Sequence, residues 1–192
     1  MKKEGYNVYL FRHGQTTFNR DKRFTGFKDA KLTGLGVRQA KVIARKLKNK
    51  RIGAAFYTRL SRSRGTLKEV LKFHPECKKL IKDDRMIERS YGVLAGKLHS
   101  TIIEKFGKEK FEGWHRGFGV RPPKGESFAD VEKRVRSFIK DLKKFVKKNK
   151  VNVAISAHGN SIRLFRKIME KASVKETVSW AIPYDKVFVY GI

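Results

Sequence analysis

Asn7-Val8-Tyr9-Leu10-Phe11-Arg12-His13-Gly14 and Val151-Asn152-Val153-Ala154-Ile155-Ser156-Ala157-His158-Gly159-Asn160 are two short apolar runs that finish alike, in a His-Gly pair. Continuous apolar runs of this length, bounded by turn residues, predict strands buried on both faces, here Asn7 to Phe11 and Val151 to Ser156. Ligands of open α/β sheets bind beyond the carboxyl ends of the strands. A glycine at that point lets the backbone turn sharply and come close to a ligand. If the two strands are neighbours, His13 and His158 face one site.

Outward from these runs, strands and helices alternate. Gln15 to Lys31 is turn-rich. Thr33 is placed to cap a helix whose apolar positions are Val37, Ala40, Ile43, Ala44 and Leu47. Ala54 to Tyr57 reads as a strand, followed by a helix from about Ser63 to Phe73, which stops before Pro75. Residues 83–124 are less regular and carry six glycines and Pro122-Pro123, which suggests a lobe inserted over an active site. Ser127 then caps a long helix with Phe128, Val131, Val135, Phe138, Leu142, Phe145 and Val146 as its buried stripe and lysines as its solvated face. A helix through Ile162, Phe165 and Met169 and a last strand, Val187 to Tyr190, complete the pattern. It predicts an α/β fold: a three-layer α/β/α sandwich, with a mostly parallel central sheet covered by helices on both faces, built as one domain over 1–192.

The composition supports a sizeable core, with 40% hydrophobic and 11% aromatic residues. The charge is unusual: 47 Lys and Arg against 18 Asp and Glu, a formal net charge of +29. Such a field attracts anions, among them phosphorylated metabolites and, non-specifically, nucleic acid. One cysteine, Cys77, excludes an intramolecular disulfide and fits a reducing compartment. The start, from Met1 to Phe11, has a basic beginning but neither a long apolar region nor a cleavage site, and no apolar run is long enough to span a membrane. The expectation is a soluble, cytoplasmic protein.

Two histidines can bind zinc, but the neighbours here are Arg12 and Arg62, and no Cys or carboxylate stands at ligand spacing beside either histidine. A cationic site repels a divalent metal and suits a phosphate dianion, whose oxygens the planar fork of arginine grips in pairs. The sequence therefore points to metal-free phosphoryl chemistry on a small phosphorylated anion.

Five segments in order resemble the histidine phosphatase superfamily. They are Arg12-His13-Gly14, Thr58 to Arg62 with Thr66, Glu88 to Gly92, Gly125-Glu126-Ser127, and Ala157 to Ser161. Arg23 to Phe27, Glu88 to Gly96, and Trp114 to Phe118 followed by Pro122-Pro123 are similar to its cofactor-dependent phosphoglycerate mutase branch. The resemblance implies His13 as nucleophile, Arg12, Arg62 and His158 around the transferring phosphoryl group, and Glu88 as acid and base. It further implies substrate contacts from Asn19, Arg23, Thr25, Gly26, Arg89, Tyr91, Arg116 and Asn160. His99 and His115 stand where that branch has a lysine and an arginine, and each is expected to donate to substrate in a pH-dependent way.

For His13 to attack phosphorus its imidazole must be neutral, and adjacent guanidiniums disfavour the imidazolium. Three functions follow as expectations. One is a phosphoglycerate mutase that interconverts 3- and 2-phosphoglycerate through phosphohistidine and is primed by 2,3-bisphosphoglycerate. Another is a phosphomonoester phosphatase of the same chemistry, favoured by His99, His115 and the near absence of a C-terminal tail. The third is a basic nucleic-acid-binding protein on this fold.

Overall fold

The computed structural model describes residues 5–192; the basic first four residues of the N-terminal stretch read above lie outside them. The elements in chain order are β1 (Asn7–Arg12), α1 (Thr17–Arg20), α2 (Gly34–Leu47), β2 (Ala54–Tyr57), α3 (Ser61–Leu71), β3 (Lys79–Lys82), α4 (His99–Phe106), α5 (Lys108–Arg116), α6 (Phe128–Asn149), β4 (Val153–Ala157), α7 (Gly159–Glu170), α8 (Val174–Ser179) and β5 (Val187–Gly191). The sheet order is β3-β2-β4-β1-β5, and only β5 runs antiparallel to its neighbour.

The two runs that end in His-Gly are adjacent strands. β1 and β4 pair in parallel with Val8 opposite Val153 and Arg12 opposite Ala157, and the next amide, of His13, donates to the Ala157 carbonyl at 3.0 Å. Successive side chains alternate between faces. Val8, Leu10, Val153, Ile155 and Ala157 therefore pack with α6 and α7, while Tyr9, Phe11 and Ala154 pack with α2 and α3. This is the three-layer sandwich expected from the sequence.

Helix starts follow local chemistry. Thr33 Oγ1 accepts from the Gly36 amide. Ser127 and Asp130 form a reciprocal capping box at the head of α6. Between β1 and α2 two backbones nearly touch: a Cβ on Gly14 would lie 2.1 Å from the Gly36 carbonyl oxygen. Gly14 thus serves a crossing of chain on chain rather than approach to a ligand. Gly159 has no such crowding, its nearest contacts being ordinary ones at 3.5–3.6 Å.

Five elements go beyond the sequence reading, the first being α1, a single turn inside the stretch read as turn-rich. β3 is a lysine-flanked edge strand whose four residues are exposed or half-buried, so it has no buried stripe to announce it. α4 and α5 occupy the segment read as irregular. With Phe24, Tyr91 and Leu94, the residues Ile102, Phe111 and Trp114 form a separate apolar cluster there. α8 is a six-residue helix capped by Ser173. Among the described residues no helix is long and apolar enough to cross a membrane.

Candidate active site

A cavity of about 460 Å³ opens at the carboxyl ends of β1 and β4. Its lining includes Arg12 from β1, Asn19 from α1, Arg23 and Thr25 from the loop after it, Glu88 and Tyr91, His99 from α4, His115 and Arg116 from α5, Asn160 and Arg163 from α7, and residues 181–184. Of the residues singled out in the sequence, Gly26 and Arg89 are the two substrate candidates that the lining omits; His13, Arg62 and His158 are also absent from it and are buried.

His13 is 2% exposed. Its Nδ1 lies 2.7 Å from the Gly14 carbonyl, an acceptor only, so Nδ1 carries the proton and Nε2 keeps its lone pair. Burial, then the charges of Arg62 and Arg12, hold its pKa well below the usual imidazole value. The His158 ring centroid is 5.0 Å away. That ring is also held neutral, by burial first and then Arg62. Its Nε2 pairs with Thr58 Oγ1 at 2.8 Å, and its Nδ1 is buried without a partner.

Arg62 is fully buried at the head of α3. It donates to the carbonyls of Lys28 and Gly26, each at 2.8 Å, and burial lowers its pKa to about 10. Gly26 therefore supplies a carbonyl that aims Arg62. Its φ of +54° and the Tyr91 amide 3.0 Å from a would-be Cβ fix the need for glycine there. Arg12 donates to the Ile182 carbonyl at 2.9 Å and lies over the Tyr184 ring. One Nε of each of these two guanidiniums is buried without a protein partner. Buried polar groups are rarely left unpaired, so these atoms suit an anion.

Glu88 makes no ion pair with Arg85 or Arg89. Its Oε1 accepts from the backbone amides of Arg89, at 2.8 Å, and of Asn160, at 3.1 Å, in the first turn of α7. Arg134 of α6 fastens this segment from behind by donating to the carbonyls of Arg85, Ile87 and Glu88.

Arg89 is absent from the cavity lining. It is fully buried, lies between the rings of Tyr91 and Phe128, and donates to the carbonyls of Trp114 and His115. Its Nη2 secures the end of α5, while its Nε and Nη1 are buried without a partner among the described residues. Asn19 combines two readings: its Oδ1 closes the cap of α1 with Thr16, while the residue still lines the cavity. His99 and His115 face each other at 5.3 Å between ring centroids. Burial, followed by Arg116, pushes His115 down to about 3, and burial with Lys22 lowers His99. Both are neutral near pH 7, so they donate as imidazoles and not as cations.

Phe24, Arg163 and residues 181–184 line the cavity without having been singled out in the sequence. Arg163 is 8% exposed. It donates through Nε to Trp180 O and through Nη1 to Asn160 Oδ1, each at 2.9 Å, and burial together with Arg116 and Arg12 lowers its pKa to about 9. Its place three residues after Asn160 on α7, on the same helical face, is the signal that could have found it. Arg12, Arg23, Arg116 and Arg163 thus meet a single lining carboxylate, Glu88.

A 2,3-bisphosphoglycerate-dependent phosphoglycerate mutase of Mesorhizobium japonicum is 35% identical over 189 residues, covering 96% of this chain and 91% of that protein. Its namesake in Chlamydia muridarum is 30% identical over 209 residues, covering 95% and 92%. The solved structure of a mycobacterial glucosyl-3-phosphoglycerate phosphatase matches with a TM-score of 0.82 at 21% identity, covering 97% of each chain. The model of the histidine phosphatase superfamily (branch 1) matches residues 8–191, nearly the whole of the sheet and its helices, and the chain belongs to that superfamily.

Proposed function

We propose that this protein is a phosphoglycerate mutase interconverting 3- and 2-phosphoglycerate through a phosphohistidine on His13. The observation that carries the reading is the spread of cations in the cavity. Arg12 and Arg62 flank His13, and a second group, Arg116 and Arg163, lines the cavity beside Asn160. Two cationic groups suit a substrate with two anionic groups, as phosphoglycerates have.

The lone pair of His13 Nε2 attacks phosphorus in line; the N–P bond forms as the ester P–O bond breaks. Glu88 lines the cavity and takes the role of the general acid that gives a proton to the departing alkoxide. The transition state is loose, so catalysis rests on holding the equatorial oxygens. Arg12, Arg62 and His158 do this. With the Thr58 hydroxyl donating to His158 Nε2, the ring proton is on Nδ1 and free to donate to phosphate. Glu88 then takes the proton of the neighbouring hydroxyl, which attacks the phosphohistidine, and His13 is restored. 2,3-Bisphosphoglycerate fits the same buried, unpartnered guanidinium atoms and supplies the phosphoryl group that primes His13.

A phosphatase reading is favoured by one observation. His99 and His115 are neutral near pH 7, so the hold on a second anion is weaker than cations there would give, and water competes for the phosphohistidine. A phosphorus NMR time course with 3-phosphoglycerate, a trace of 2,3-bisphosphoglycerate and EDTA separates the two. The mutase yields 2-phosphoglycerate with little free phosphate; free phosphate as the main product replaces that reading by the phosphatase. His13→Ala is expected to lose acid-labile labelling by the phosphate donor, and normal labelling of that variant overturns the nucleophile assignment.

A further inference from the structure

We propose that the outward face of α6 docks the phosphodiester backbone of duplex nucleic acid, independently of base sequence. At about 100° per residue, Lys133, Lys140, Lys143, Lys144, Lys147 and Lys148 fall in one sector. That sector lies opposite the buried stripe of Val131, Val135, Leu142 and Val146. All six lysines are exposed, and none takes part in an ion pair or side-chain hydrogen bond among the described residues, whereas Arg85, Arg134 and Arg136 on or against the same helix are paired with carboxylates. Asp141 is the exposed acid beside the row, and Arg85 neutralises it at 2.6 Å.

The geometry selects the partner. From Lys133 to Lys147 the row runs about 21 Å, which matches roughly six base pairs of duplex at about 3.4 Å each. Lysines are point charges on flexible stems; they hold phosphates and do not read base edges as the arginine fork does. A membrane-surface helix needs a free apolar face to insert, but that face of α6 is fully buried, and no large apolar side chain of α6 is exposed. Single strands need stacking aromatics, and the row holds none. A second copy of a chain with net charge +29 is repelled. The six lysines are not used by the cavity: Lys140 is about 18 Å along the helix from Phe128, and the row continues away from the strand ends that carry the site.

The test compares two triple variants of the whole protein with equal loss of charge. Lys140→Glu, Lys144→Glu and Lys147→Glu alter the row; Lys41→Glu, Lys48→Glu and Lys68→Glu alter exposed positions on or beside α2 and α3, across the sheet. Anisotropy of a labelled random 20-base-pair duplex DNA is titrated between 50 and 200 mM salt. Wild type is expected to bind with steep salt dependence. The α6 variant is expected to bind at least tenfold more weakly at 50 mM, with a salt slope smaller by about 2.7, or 0.9 per lost phosphate contact. The α2–α3 variant is expected to stay within about threefold of wild type, and the phosphoglycerate activity of both is expected to be unchanged. Equal weakening of both variants overturns the proposal, because the attraction is then that of the whole charge. Binding to anionic phospholipid vesicles without binding to duplex overturns it as well. Lys→Gln at the same three α6 positions, with smaller loss in the same direction, guards against a folding defect.

Discussion

Arg163 has three nitrogens and two jobs. Two of them hold the Asn160 side chain and the Trp180 carbonyl; the residue also lines the cavity among other cations that depress its own pKa. A charge-assisted hydrogen bond contributes about 1.5–3 kcal/mol, so Arg163→Leu is expected to lower kcat/KM for 3-phosphoglycerate by roughly tenfold to a hundredfold or more. Hydrolysis of p-nitrophenyl phosphate, which has no second anionic group, is expected to fall less than threefold. Steady-state kinetics on the two substrates checks this; equal losses on both would place Arg163 with the phosphoryl machinery instead. At this scale the sequence was legible wherever a residue's neighbours in the chain are also its neighbours in space. His13 and His158 each sit at a strand end with their glycine, and that local pattern was enough. The surroundings of Arg89 were not legible because adjacency to Glu88 says nothing of direction: it turns inward between Tyr91 and Phe128. Arg163 was missed because its contacts to the 180–184 segment lie 17 residues away.

β1 and β4 have their apolar side chains on both faces, and that doubled burial is what made them readable as central strands. β3 lacks it. Its lysines guard an open sheet edge against pairing with other chains, and that task removes the apolar signal that marks a strand. α4 and α5 were hidden for another reason: they bury one face each in the small cluster around Phe24 and Trp114, and the glycines in and around them read as loop. The connection from β1 to α2 carries a sharper expectation. Gly14→Ala must displace the Gly36 backbone and is expected to destabilise by about 1–3 kcal/mol. Gly159→Ala, at the first position of α7 where a Cβ meets only ordinary contacts, is expected to be neutral or to gain up to about 1 kcal/mol. Urea unfolding of the two variants measures both; a tolerated Gly14→Ala would mean that the loop has room to yield.

Charge and protonation act on the molecule as a whole. His13 and His158 are buried neutral, with pKa values well below those of the unfolded chain. Below about pH 6.5 the unfolded state binds protons that the folded state does not. Stability is therefore fully present above that pH and lost as pH falls through it, by up to about 1.4 kcal/mol per pH unit for each of the two histidines. Urea midpoints at pH 7.5 and 5.0 are expected to show the loss, and added phosphate, which gives the site its counter-charge, is expected to recover part of it. An unchanged midpoint would mean that the two rings are protonated in the fold. Self-repulsion at +29 acts in the same direction at low salt and is screened as ionic strength rises.

The wall formed by residues 181–184 is joined to the site in a particular way. Arg12 and Arg163 grip it through the carbonyls of Ile182 and Trp180, and a carbonyl is present whatever side chain the residue bears. Ile182 is buried in the core, but its exposed neighbours Ala181 and Pro183 can change in size or polarity while both struts stay in place and His13, Arg62 and Glu88 keep their partners. For natural selection this makes the wall an exchangeable part: a lineage can retune which phosphate ester it accepts through one or two substitutions there, without passing through an ancestor that has lost either its fold or its chemistry.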